Sequence, residues 1–169
     1  LRKNKKSRLL LRARKIRFLL LDVDGILNDG TIWIDDQGRE MKGFSIYDGH
    51  GIRLLQEAGL EVGLLSGRAS NAVALRAKEL GIREVHQGVR NKIKVYEELI
   101  ARHELSDNEV AYMGDDLIDL PILKRVGLSI SVPNAVPSVI KSAEWVTRKK
   151  GGEGAVREVT DLLLEALRK

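Results

Sequence analysis

The run Ile-Arg-Phe-Leu-Leu-Leu-Asp-Val-Asp-Gly, residues 16–25, most constrains the fold of this chain. Its apolar positions end abruptly in Asp22, Asp24 and Gly25. A short apolar run of this kind is typical of a strand that is buried on both faces of a parallel sheet. Ligands bind outside the carboxyl ends of such strands, so we expect the two aspartates to lie where an open α/β sheet does its chemistry. Taken alone, Asp-x-Asp-Gly is equally compatible with a strand-ending turn.

Short apolar segments alternate with helical patterns along the rest of the chain. Residues 62–65 predict a second buried strand, residues 84–86, 109–113 and 128–132 predict further strands, and residues 145–147 predict an edge strand. This alternation predicts a single doubly wound, Rossmann-like α/β domain with a central parallel sheet. We expect that domain to span residues 16–169 and to follow a basic arm or short helix over residues 1–15.

One segment, at about residues 30–46, interrupts the first step from strand to helix. Residues 31–34 and 40–46 flank the turn sequence Asp-Asp-Gln-Gly, which predicts a β-hairpin. After it, Asp48 is a plausible N-cap for the next helix. Near the other end of the chain, the glycine-rich residues 149–154 predict a flexible loop before a terminal helix.

Composition excludes several classes of protein. The chain has no cysteine, so disulfides, thiolate metal sites and cysteine nucleophiles are excluded. No apolar run approaches the ~18 residues that a membrane span needs, and no signal-type apolar core follows the basic start. We therefore expect a soluble, cytoplasmic protein with no membrane partner.

The net charge of +5 comes from the N-terminal segment. Residues 1–17 hold nine basic residues and no acidic one, which leaves 20 basic residues against 24 acidic residues in the remainder. A basic arm can bind nucleic acid or anionic lipid. Because no aromatic residue lies among these charges to stack on bases, we favour a solvated helix and expect no nucleic-acid partner.

Two further strand ends carry groups that bind anions. Ser66, Gly67 and Arg68 lie between a strand and a helix, where a hydroxyl and helix amides donate hydrogen bonds and a glycine lets the backbone approach. Lys92 lies near a helix start, where the helix dipole prefers anions, and so suggests a bound anion. The alternatives without a ligand are that residues 66–67 only form a turn or helix cap and that Lys92 is only an exposed lysine.

The sequence Gly-Asp-Asp-Leu-Ile-Asp after the fourth strand brings three carboxylates within five residues. Asp115, Asp116 and Asp119 repel one another unless a cation or a lysine neutralises them. Ligation by oxygen alone indicates Mg²⁺ rather than zinc. An acidic helix N-terminus is the structural alternative.

Together these four strand-end motifs resemble those of haloacid dehalogenase (HAD) superfamily phosphatases. The resemblance covers about residues 9–167 and implies a HAD-type fold and phosphomonoester hydrolysis through an aspartyl-phosphate intermediate. It implies that Asp22 is the nucleophile, that Asp24 is the general acid and base, and that Ser66 and Lys92 bind the phosphate. It also implies that Mg²⁺ is held by Asp22, Asp115 and the Asp24 carbonyl, with Asp116 and Asp119 supporting these groups.

A narrower similarity is to the 3-deoxy-D-manno-octulosonate 8-phosphate (KDO 8-phosphate) phosphatases. It rests on the hairpin in place of a cap domain and on residues 44–52, 66–68, 114–119 and 151–158. It implies a homotetramer in which a neighbouring subunit helps to close each site, and a role in lipopolysaccharide synthesis. Substrate binding would then fall to Ser66, Gly67, Arg68, Lys92 and Arg157.

Two departures from that family pattern leave the sugar open. Tyr47 stands where many members have a basic residue, and Asn28 stands where serine or threonine is common. A nonulosonic acid 9-phosphate or another sugar phosphate is the alternative substrate, although Arg68 favours KDO 8-phosphate. The alternatives outside catalysis are a phospho-receiver-like module and a binding module that acts through the basic arm.

Overall fold

The structure, a computed structural model, describes residues 2–168, with side chains described from residue 6 onward. The strands are β1 (Phe18–Leu21), β2 (Trp33–Ile34), β3 (Glu40–Met41), β4 (Glu61–Leu65), β5 (Glu84–His86), β6 (Val110–Met113), β7 (Leu128–Ser131) and β8 (Trp145–Val146). The α-helices are α1 (Arg2–Ala13), α2 (Ile46–Glu57), α3 (Asn71–Leu80), α4 (Lys92–Arg102), α5 (Leu120–Leu123), α6 (Pro137–Ser142) and α7 (Ala155–Leu167). Two 3-10 turns lie at Asp107–Glu109 and Leu117–Asp119.

Six of the strands form one parallel sheet in the order β5-β4-β1-β6-β7-β8. Every residue of β1, β6 and β7 is buried, as strands covered by helices on both faces require. The chain builds outward from β1 first to one side, through β4 and β5, and then to the other. The predicted doubly wound α/β fold is therefore confirmed, and the strand order reverses at β1, where such sheets bind their ligands.

The hairpin is present, but its strands are short. β2 and β3 pair antiparallel, with Trp33 opposite Met41. The strands predicted over residues 31–34 and 40–46 were too long, since only residues 33–34 and 40–41 form strands and α2 already begins at Ile46. Ser45 caps that helix by accepting a hydrogen bond from the Asp48 amide at 3.4 Å.

The prediction that Asp48 caps α2 was wrong, because its carboxylate faces α7. It accepts hydrogen bonds from the backbone amides of Gly154 at 3.3 Å and Arg157 at 2.7 Å. Gly154 has no side chain with which to cap α7, so a residue of α2 does so instead. This contact fixes the start of α7 against α2.

The glycine-rich segment that precedes α7 packs on the loop that follows β1. The Gly152 amide donates to the Ile26 carbonyl at 3.0 Å. Asn134 accepts from the Gly151 amide at 3.0 Å and donates to the Gly25 carbonyl at 3.4 Å. A side chain at Gly151 would overlap that same carbonyl oxygen. The contact requires a glycine at this position, while the predicted flexibility of residues 149–154 stays a prediction.

Helix α1 packs against α7 and β7. Its residues Leu9 and Ala13 are buried in this contact. Lys6 forms an ion pair with Glu165, and Arg12 forms one with Glu144. The side chains of residues 1–5, which carry part of the predicted basic arm, lie outside the described residues. Between residues 2 and 168, no helix has both the length and the apolar character that crossing a membrane requires.

Candidate active site

The carboxyl ends of β1, β4 and β6 enclose a pocket of about 260 Å³. Parallel strands end at the same edge of a sheet, so residues distant in sequence meet here. The pocket is lined by Asp22, Asp24, Gly30, Ser66, Gly67, Arg68, Asp115, Asp116 and Ile118. The structure thus brings together most of the site residues that the sequence predicted.

Asp22 and Asp119 share the ammonium group of Lys92 beneath this pocket. Nζ of Lys92 lies 2.8 Å from Asp22 Oδ2 and 2.7 Å from Asp119 Oδ1, and the lysine side chain is fully buried. Burial raises the pKa of Asp22 to about 8, although the lysine charge acts in the opposite direction. Burial also opposes the charge of Lys92, but the two carboxylates outweigh it and raise the pKa of that lysine. Lys92 is therefore a charged donor that faces Asp22, the predicted nucleophile.

Asp119 is fully buried, and both of its carboxylate oxygens accept hydrogen bonds. Oδ1 accepts from Lys92 and from the Tyr112 hydroxyl at 2.6 Å. Oδ2 accepts from the backbone amides of Asp115 at 3.0 Å and Asp116 at 3.1 Å. With four donors in place, Asp119 holds the loop and the lysine. The Tyr112 contact was not predicted, although a tyrosine in an otherwise apolar strand is a signal that its hydroxyl needs a partner.

Three carboxylates among the described residues can converge on one metal ion: those of Asp22, Asp115 and Asp119, whose oxygens lie within 4.8 Å of one another. Asp115 Oδ1 is buried and has no hydrogen-bond partner among residues 6–168. Burial, with a contribution from Asp119, raises the pKa of Asp115 to about 7. A buried oxygen without a donor, in a set made only of carboxylates, fits a hard divalent cation such as Mg²⁺.

The turn after Asp24 depends on Gly25 and Asn28. Gly25 has a φ of +87°, and a side chain there would overlap the Asp115 carboxylate. Asn28 is fully buried and accepts from the amides of Gly25 at 3.1 Å and Gly30 at 2.8 Å. Its own amide donates to Asp24 Oδ1 at 2.8 Å. Asn28, which departs from the family pattern, therefore holds this loop together through three hydrogen bonds, a role that the sequence did not indicate.

The hairpin also contributes charged groups to the site, and the sequence analysis missed them. Nζ of Lys42 lies 2.5 Å from Asp24 Oδ1. Glu40 Oε2 lies 3.2 Å from a guanidinium nitrogen of Arg68, whose Nε is 4.0 Å from Asp24 Oδ2. The hairpin is thus joined to the predicted acid and to a predicted substrate-binding residue.

The remaining predicted residues occupy different depths. The Ser66 hydroxyl is buried and accepts a hydrogen bond from the Arg68 amide at 3.2 Å, whereas Gly67 and Arg68 are exposed at the rim. Arg157 does not line the pocket of this chain, since its guanidinium donates to Asp161 on α7 at 2.8 Å.

Comparison with known proteins shows which proteins this chain resembles. A family model described as haloacid dehalogenase-like hydrolase matches residues 83–159. The 3-deoxy-D-manno-octulosonate 8-phosphate phosphatase of Yersinia pestis is 46% identical over 155 residues, which are 92% of this chain and 83% of that protein. Its 1.95 Å crystal structure superposes with a TM-score of 0.93, at 45% identity, over 95% of this chain and 87% of that one.

A second crystal structure contains ligands. The 3-deoxy-D-manno-octulosonate 8-phosphate phosphatase of Moraxella catarrhalis, in complex with magnesium, phosphate and KDO, superposes with a TM-score of 0.94 at 38% identity. The match covers 96% of this chain and 93% of that one. The match therefore covers nearly the whole of this chain.

Proposed function

Because the chain belongs to the KDO 8-phosphate phosphatase family of haloacid dehalogenase-like hydrolases, we propose that it hydrolyses KDO 8-phosphate to KDO and inorganic phosphate. The observation that carries the proposal is the single pocket in which Asp22, Asp24, Ser66 and Asp115 converge above Lys92. A receiver module has no need of a second carboxylate in the position of Asp24. A module that acts through a basic arm needs none of these groups.

The reaction follows from the charges in the pocket. Lys92 and the Ser66 hydroxyl bind the phosphate oxygens and offset their negative charge. Asp22 attacks phosphorus in line and forms an aspartyl-phosphate. Asp24 protonates the departing sugar oxygen and then deprotonates the water that hydrolyses this intermediate. Asp119 keeps Lys92 in place, and Asp116 caps the 3-10 turn that carries Asp119.

The carboxylates also explain the need for a metal ion. Asp22, Asp115 and the Asp24 carbonyl would hold Mg²⁺, which supplies charge neutralisation for the phosphate dianion when it is bound. The unpartnered Asp115 Oδ1 supports this assignment. Asp119 already accepts hydrogen bonds from four donors, which favours a role in holding Lys92 and the loop rather than direct ligation of the metal ion.

Arg68 supports a sugar acid as the substrate. Its guanidinium lies at the rim of the pocket and already pairs with the carboxylate of Glu40 at 3.2 Å. A guanidinium can bind a substrate carboxylate through two parallel hydrogen bonds. The role of Arg157, which lies outside the pocket of its own chain, is proposed for the assembled protein.

We also propose that the hairpins assemble a homotetramer. Trp33, Ile34 and Met41 are 63%, 66% and 60% exposed, more apolar surface than a two-stranded hairpin normally leaves in water. Packing against other subunits would cover this surface and close the open pocket. Replacing Trp33 and Ile34 by aspartate should reduce the mass measured by light scattering and raise KM, while the Lys94→Asp variant, changed on the exposed face of α4, keeps the wild-type mass. A wild-type monomer at micromolar concentration would contradict this assembly.

A phosphate-release screen tests the function. KDO 8-phosphate should be hydrolysed in the presence of Mg²⁺ with a higher kcat/KM than a nonulosonic acid 9-phosphate or a simple hexose phosphate. The Asp22→Asn variant is the control for contaminating phosphatases. Preference for the 9-phosphate would contradict the proposed substrate and favour the alternative. The roles in lipopolysaccharide synthesis and in the cytoplasm stay predictions.

A further inference from the structure

The two carboxylate oxygens of Asp24 have different surroundings. Oδ1 accepts from Asn28 Nδ2 at 2.8 Å and lies 2.5 Å from Lys42 Nζ. Oδ2 is also buried but has no hydrogen-bond partner among residues 6–168, and the nearest recorded cation, Arg68 Nε, is 4.0 Å away. One oxygen is therefore fixed by two donors, and the other is left for a partner that enters the pocket.

The second of these donors, Lys42, reaches the site because side chains alternate along β3 and the residue that follows it. Residues two apart in an extended segment point to the same side. Glu40 and Lys42 both turn toward the pocket, where they pair with Arg68 and Asp24, while Met41 between them is 60% exposed. This segment thus directs Glu40 and Lys42 toward the site and Met41 outward.

The burial of Lys42 indicates that this contact is not incidental. Its side chain is fully buried, although the pocket beside it is open to water. Burying an ammonium group is costly unless it is paired. Its recorded partners are Asp24 at 2.5 Å and, more distantly, Glu40 at 3.7 Å.

We propose that Lys42 is a positioning residue for Asp24. The inference rests on the proposed function, in which Asp24 handles the protons of the leaving oxygen and of the attacking water. The terminal torsion of an aspartate is broad, so a carboxylate held by Asn28 alone samples several orientations. With Lys42 on Oδ1 as well, Oδ2 faces first the leaving oxygen and then the water. The hairpin is therefore part of the acid–base machinery as well as the predicted subunit contact.

The test is the Lys42→Met variant, which keeps the buried aliphatic stem and loses the charge. The matched control is Arg39→Met, which removes an exposed cation from the same hairpin. Both are assayed with KDO 8-phosphate and with p-nitrophenyl phosphate. Nitrophenolate leaves without a proton, so the formation of the aspartyl-phosphate from this ester does not need Asp24, whereas its hydrolysis does.

For Lys42→Met we expect kcat on KDO 8-phosphate to fall about 10- to 100-fold with KM within about threefold of wild type. With p-nitrophenyl phosphate, the ratio of the burst rate constant to the steady rate should rise about tenfold or more. Arg39→Met should match wild type in both assays. A merely structural role would lower the burst and the steady rate together.

An unchanged kcat, or an equal loss in both phases by a folded variant, would overturn the proposal. Circular dichroism monitors folding, and Lys42→Leu, which also lacks a donor, replaces Lys42→Met in the same measurements if the latter does not fold. A wild-type enzyme that does not hydrolyse KDO 8-phosphate would contradict the substrate proposal. The burst ratio with the aryl ester would still test Lys42, so the two failures are distinguishable.

Discussion

Asp119→Ala should destabilise the protein far more than the loss of an ordinary carboxylate. The substitution removes the acceptor of four donors and one of the two carboxylates that pair with the buried Lys92. Removing one partner of a buried ion pair costs about 3–5 kcal/mol. Lys92 retains Asp22, which reduces this cost, while the buried Tyr112 hydroxyl loses its acceptor at a further cost of about 1–3 kcal/mol. We therefore expect a loss of about 4 kcal/mol, which lowers Tm by roughly 8–16 °C for a domain of this size.

Urea denaturation in chelator measures this loss without a contribution from bound metal. Asp116→Ala is the matched control, since Asp116 is exposed and caps only the 3-10 turn, and it should lose about 1 kcal/mol or less. Asp115→Ala should show the converse, with unchanged or higher stability in chelator and the loss of the stabilisation that Mg²⁺ gives to wild type. If the free energy of unfolding of Asp119→Ala lies within about 1 kcal/mol of the wild-type value, the hydrogen bonds around Lys92 do not contribute the stability assigned to them.

Three further predictions concern the nucleophile, the metal and the glycine contact. Asp22→Asn should keep its circular dichroism spectrum and lose several orders of magnitude in kcat, because an amide cannot form the covalent intermediate; substantial residual Mg²⁺-dependent turnover would refute this role. Because the pKa values of Asp22 and Asp115 are raised to about 8 and 7, protons must leave before Mg²⁺ binds, and calorimetry should find that the affinity increases from pH 6 to pH 8; a flat profile would count against it. Gly151→Ala should lower both Tm and kcat because its methyl group would overlap the Gly25 carbonyl, whereas Gly43→Ala, with nothing within 4 Å, should behave as wild type.

The sequence indicated the parts of this site that are local. Asp22 with Asp24, and Asp115 with Asp119, each follow one buried strand, so a strand assignment was enough to place them at the edge of the sheet. Because parallel strands end together, the four motifs could be expected to meet before any contact was known. The fold followed from the same alternation of strands and helices.

The contacts that were missed depend on distance across the fold. Lys42 reaches Asp24 from a hairpin whose direction is set by its packing, and nothing in residues 40–46 indicates which face turns inward. Asp48 was assigned to the helix in which it lies, but its partners are the amides of Gly154 and Arg157, more than 100 residues later. Local capping rules describe such a residue correctly only when the nearer helix end has no better cap, and here Ser45 is that cap.

The contact between Gly151 and Gly25 also sets an order in time. During synthesis Asp22 and Asp24, which follow β1, leave the ribosome before the backbone that packs on their loop, which is about 125 residues further along the chain. At about 5–20 residues per second, this gap corresponds to roughly 6–25 s of translation. Throughout that interval the loop that follows β1 lacks its contact with residues 151–152. We therefore expect catalytic activity only late in synthesis, when α7 packs on the domain. A ribosome-bound chain that ends before residue 151 should contain Asp22 and Asp24 but should not hold their loop in its final position.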